Sequence, residues 1–101
     1  MDYLRGKVAV VFGAGDETHR GVAVALAQAG ADIAVAGTAP ELAAEAALHS
    51  IANEIWALGH RSTVVTLPAD DAASFAAAVE RATSELGRAD LIVRADPVLS
   101  A

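Results

Sequence analysis

Apolar residues fall into short blocks along the chain, and the spacing inside each block says which element it forms. "KVAVVF" at 7–12 runs apolar and β-branched without polar alternation, the signature of a strand buried on both faces. From about Thr18 to Ala29 the period changes to that of a helix. Val22, Ala25, Leu26 and Ala29 share one face, and Gly30 is placed to stop it. "DIAVAG" (32–37) is a second strand. "TAPE" then opens a second helix, with Thr38 as N-cap, Pro40 in the first turn and Glu41 completing a capping box. This helix reaches about Leu58, where Gly59 ends it, on a stripe of Leu48, Ile51, Ile55 and Leu58. "STVVTL" (62–67) is a third strand. Asp70 or Asp71 caps a third helix that passes through Phe75 and Val79 to Leu86 and ends at Gly87. "DLIV" (90–93) is a fourth strand.

Strands and helices alternate as βαβαβαβ with short connections, which predicts an α/β fold with a parallel sheet. Right-handed crossovers arrange four strands in the order 3-2-1-4 with three helices, a Rossmann-like half domain. Residues 1–101 are expected to form a single domain. The sheet reverses direction beside strand 1, next to the turn in "VVFGAGDETHRGVAVALAQAG" (10–30). Two helices then lie on one face and one on the other, and strand 4 is left as an apolar edge that a soluble protein must cover.

Composition narrows the partners. The chain is 54% hydrophobic but only 4% aromatic, so alanine and branched aliphatics must make the core by close packing. Net charge is −6, and the seven Lys and Arg form no stripe, which argues against nucleic acid and anionic membrane surfaces. No apolar run reaches the roughly 18 residues of a membrane span, and no leader pattern opens the chain, so a cytoplasmic location is expected. Cysteine is absent, which removes disulfides and thiolate metal sites from this stretch.

"LRGKVAVVFGAG", "VALAQAGADIAV", "EIWALGHRSTVV", "PAD" and "ELGRADLIV" resemble, in order, the first half of short-chain dehydrogenases/reductases. The resemblance implies a nicotinamide-dependent oxidoreductase fold. Its first-turn pattern, TGxxxGxG, is uneven here: Phe12 stands at the Thr, Gly13 at the first Gly, Glu17 at the second and His19 at the third. Those glycines let backbone N–H groups approach a pyrophosphate, so side chains there are expected to obstruct it. The loop also resembles the enoyl-acyl-carrier reductase branch, whose Ser-x-Ala positions would be His19 and Gly21. The Asp that marks NAD enzymes at the end of strand 2 is replaced by Gly37 and Thr38. Where NADP-dependent members often carry an Arg, Asp16 stands. Asp70 matches the family's adenine-contacting Asp, and NNAG is replaced by Arg94-Ala95-Asp96-Pro97.

The cofactor contacts the resemblance implies are therefore Gly13, Gly15, Asp16, His19, Arg20, Gly37, Thr38, Asp70, Asp71 and Ala95. NADP or NAD is the implied cofactor, NADP favoured by the missing strand-2 Asp, with loss of nucleotide binding the alternative. The family's Ser, Tyr and Lys set has no counterpart: Tyr3 precedes strand 1 and Lys7 begins it. Two function classes remain. One is a dinucleotide-binding part of an oxidoreductase that is not catalytic by itself. The other is a non-catalytic scaffold, a homo-oligomer or partner subunit pairing through strand 4. His19, His49 and His60 have no ligand spacing, so no metal site is expected. The acids of "DET" and "ADDAASF" read as caps rather than a hydrolase pair, and Trp56 is expected half-buried beside Ile55.

Overall fold

A computed structural model of the chain describes residues 3–95. The elements are β1 (Val8–Phe12), α1 (Glu17–Gln28), β2 (Asp32–Thr38), α2 (Leu42–Ala57), β3 (Ser62–Leu67), α3 (Ala72–Leu86) and β4 (Leu91–Arg94). The four strands form one parallel sheet in the order β3-β2-β1-β4.

Each side of the sheet carries its own core. Ala9 and Val11 of β1 and Ile33 and Val35 of β2 pack against α1 and α2 through Ala23, Ala27, Leu48, Ile51 and Ile55. Val8, Val10 and Phe12, with Ala34, Ala36, Val65 and Leu67, pack against Ala78, Ala82 and Leu86 of α3. Side chains alternate faces along a strand, so covering both faces requires the uninterrupted apolar runs of β1 and β2. Alanines at 23 and 27, four residues apart, let α1 lie close on the sheet.

Asp90 sets the register between β1 and β4. Its carboxylate accepts the Val8 N–H at 2.8 Å, and its own N–H donates to the Val8 carbonyl at 2.8 Å. Arg88, and then the Val8 N–H, hold the Asp90 carboxyl below the ordinary aspartate range. Nothing in the apolar pattern points to this residue.

Four local expectations are corrected. Thr38 does not cap α2, because the parallel ladder claims it: it pairs with Leu67 at the end of β3. Helix α2 starts at Leu42 with Glu41 as N-cap and no capping side chain, so the capping box is not formed and Pro40 precedes the helix. Leu58 leaves the stripe as the C-cap, 42% exposed. On α1 the buried line is His19, Ala23 and Ala27, one step round from the predicted face, and Ala25 is exposed. Trp56 is 71% exposed and takes no part in the core. The choice between Asp70 and Asp71 resolves to Asp71, whose carboxylate accepts the Ser74 N–H at 2.8 Å.

Candidate functional site

The carboxyl ends of all four strands open on one side of the sheet. β1 continues there into Gly13 and Ala14, β2 ends at Thr38, β3 at Leu67 and β4 at Arg94. The connection from β1 to β3 runs outward on one side, and the next crosses back to β4 on the other. In open parallel sheets that reversal leaves a crevice between the diverging loops. Here it is a cavity of about 190 Å³ lined by Phe12, Gly13, Ala14, Thr38, Leu67, Asp70, Phe75 and Arg94.

The first turn is built around His19. Its imidazole is fully buried. Nδ1 accepts the Gly15 N–H at 3.0 Å, so the proton sits on Nε2, which donates to the Val11 carbonyl at 2.8 Å. The neutral ring thereby ties the end of β1 to the loop that leaves it. It also explains Gly13: a Cβ there would lie 2.5 Å from the imidazole. Gly37 is required for a related reason, since its Cβ would collide with the Gly13 carbonyl oxygen. The ends of β1 and β2 meet backbone to backbone, held by the Gly13 N–H donating to the Ala36 carbonyl at 3.0 Å.

The other sequence candidates separate into three groups. Gly13, Thr38 and Asp70 line the crevice. Asp16 and Asp71 are helix caps: Asp16 accepts the His19 N–H at 3.0 Å, and the Ser74 backbone N–H, then its hydroxyl, hold the Asp71 carboxyl below its usual range. Gly15, Asp16 and Arg20 line a neighbouring hollow between α1 and α2. There Arg20 makes a bidentate pair with Glu54, both bonds 2.7 Å, and bonds Glu17 at 3.0 Å. These carboxylates, Glu54 foremost, raise the Arg20 guanidinium above its ordinary value. His19 is turned inward, so its side chain does not stand across the mouth of the turn. Ala95 is buried, and its N–H donates to the Phe12 carbonyl at 2.6 Å.

Five lining residues were not among the sequence candidates: Phe12, Ala14, Leu67, Phe75 and Arg94. Phe12 and Phe75 meet edge to face, centroids 4.5 Å apart at 63°. The Arg94 guanidinium lies over the Phe75 ring, 4.4 Å from its centroid. Arg94 also approaches the Asp70 carboxylate at 3.7 Å. The signal for Phe12 and Arg94 was the β1–β4 register, which places them side by side. Chemically the crevice offers glycine-lined backbone, a hydroxyl, a carboxylate and a cation on an aromatic floor. Among the described residues, no three His, Asp or Glu side chains are grouped to hold a metal ion, and no helix is long and apolar enough to cross a membrane.

No family model matches the chain. Individual proteins do. Oxidoreductase UcpA of Escherichia coli strain K12 is 36% identical over 93 residues, covering 92% of this chain and 33% of its own length. The chain is a short-chain dehydrogenase/reductase homologue. It spans about a third of the length of the relatives it matches. Among solved structures, the carveol dehydrogenase of Mycobacterium avium, solved with NAD, superposes with a TM-score of 0.79 at 28% identity, over 91% of this chain and 36% of that one. A short chain dehydrogenase of Burkholderia cenocepacia, solved with NADP, gives 0.75 at 30% identity, over 89% and 35%. The strand order and the three helices are thus those of the part of this fold that the chain matches.

Proposed function

We propose that the chain is a nicotinamide-dinucleotide-binding half of an oxidoreductase, with the crevice at the strand reversal as its nucleotide site. The observation that carries this reading is the crevice's position. It lies at the carboxyl ends of β1 and β4, where the strand order turns, with the backbone of Gly13 and Ala14 in its lining. The donor set fits such a ligand. Gly13 and Ala14 would face phosphate, Thr38 the adenosine ribose and Asp70 the base. Bound nicotinamide supplies the capacity to accept or give a hydride. The Tyr and Lys pair that the resemblance implies as proton donor belongs to the part of the family's length that this chain does not span.

NADP is the favoured form. β2 ends in Thr38, so no carboxylate at that point repels a 2′-phosphate. Fluorescence titration of the 101-residue chain with NADPH and NADH tests the reading. Saturable binding below millimolar concentration is expected, tighter for NADPH. Absence of binding of either at millimolar concentration overturns it. A second reading, a scaffold that pairs with another copy through β4, is favoured by Ile92, which is 58% exposed in the middle of that edge strand.

A further inference from the structure

The layering on the crevice floor assigns a role to a residue where this chain departs from its family. Phe12 is buried and braces Phe75 edge to face. Phe75 carries the Arg94 guanidinium on its ring, centroid to Cζ 4.4 Å. Asp70 sits 3.7 Å from an Arg94 terminal nitrogen. A guanidinium held by an aromatic ring on one side is a planar, weakly hydrated platform. Arg94 is 52% exposed along its side chain and lines the crevice together with Gly13, Ala14 and Thr38. At about 190 Å³ the crevice falls below the roughly 300–1,000 Å³ of whole small-molecule sites. It suits one planar moiety of a dinucleotide rather than its full length.

We propose that Arg94 is the stacking platform for the adenine base, so that the base, the guanidinium and the Phe75 ring lie in layers. This rests on the dinucleotide reading and gives it a specificity-determining residue. Arginine planes stack on purine faces as they do on aromatic side chains, and Phe75 removes the need to immobilise Arg94 on binding. Asp70, an ion-pair neighbour of the guanidinium at 3.7 Å, keeps a carboxylate beside the platform for the amino edge of the base. Planarity is what matters here. Lysine would keep the charge but lose the layer.

The experiment is calorimetric titration of the 101-residue chain and its Arg94→Ala and Arg94→Lys variants with AMP, NADPH and nicotinamide mononucleotide. Thermal unfolding of each variant serves as a check of folding. The wild type is expected to bind AMP and NADPH, with nicotinamide mononucleotide much weaker. Both variants should lose affinity for AMP and NADPH by roughly tenfold, the range of a desolvated cation–π or stacking contact. Full rescue by Arg94→Lys would mean charge alone acts and would overturn the stacking role. Unchanged affinity in folded Arg94→Ala would overturn it while leaving the nucleotide site standing. A wild type that binds neither AMP nor NADPH would remove both.

Discussion

At the scale of single residues, His19 decides what the first turn can be. It occupies a position where the family resemblance implies glycine, and a reading from the linear pattern makes it an obstruction. The structure gives it the opposite task. The ring fills the space beneath Gly13, closes the Gly15 N–H and holds the Val11 carbonyl. Truncating a fully buried side chain leaves a cavity, and losing both ring nitrogens strands two backbone groups. His19→Ala should therefore cost about 3 kcal/mol of stability. Urea denaturation of the wild type and the variant checks this. The same logic makes His19→Gly destabilising, although it restores a glycine to the motif. A variant as stable as the wild type would mean the imidazole supports nothing. Glu17, the other non-glycine residue of the turn, is a different case. It is exposed and paired to Arg20, and such surface pairs contribute little.

At the scale of elements, what the sequence disclosed depended on whether local or distant groups set the boundary. The strands were legible because burial on both faces forces continuous apolar runs, and Gly30, Gly59 and Gly87 marked the helix ends. The start of α2 was not legible, because Thr38 is claimed by its partner Leu67 across the sheet, a competition no local cap pattern records. The site divided the same way. Gly13, Thr38 and Asp70 sit at or just beyond strand ends, where the resemblance points, and they line the crevice. Arg94 and Phe75 matter only through a contact between the end of β4 and the first turn of α3, which no local pattern records. The displaced cap leaves a weakness that can be tested. Glu41 has the extended backbone of an N-cap but no capping bond. Glu41→Ser places a hydroxyl where it can accept the N–H of Ala43 or Ala44. A gain of about 1 kcal/mol is expected, which for a domain of this size raises Tm by roughly 4–8 °C. A thermal melt showing no rise would mean the first turn of α2 is already satisfied in another way.

At the scale of the whole molecule, the two edges of the sheet are not equivalent. β3 is dressed with polar side chains: Arg61 pairs with Asp32 at 3.0 Å, and the Thr63 hydroxyl donates to Glu85. Such groups discourage edge-to-edge pairing. β4 has charges only at its ends, Arg88 with Asp90 at 2.7 Å and Arg94 at the other end. Between them Ile92 stands exposed on the side of the sheet that carries α3. A net charge of −6 opposes close approach of two copies at long range, but screening shortens that repulsion to about 8 Å at physiological salt. The open strand then sets the outcome. If copies pair through β4, light scattering should show mass rising with concentration. Ile92→Glu should return the chain to a monomer, because it buries a charge in the pairing surface, whereas Thr63→Glu on the guarded β3 edge should change nothing. The nucleotide reading and the pairing reading then separate cleanly. Arg94 lies at the crevice end of the same strand, so a dimer that occludes it would lose AMP affinity as concentration rises, and one that pairs lower on β4 would not. A chain that stays monomeric at every concentration removes pairing and leaves the crevice as the feature to be explained.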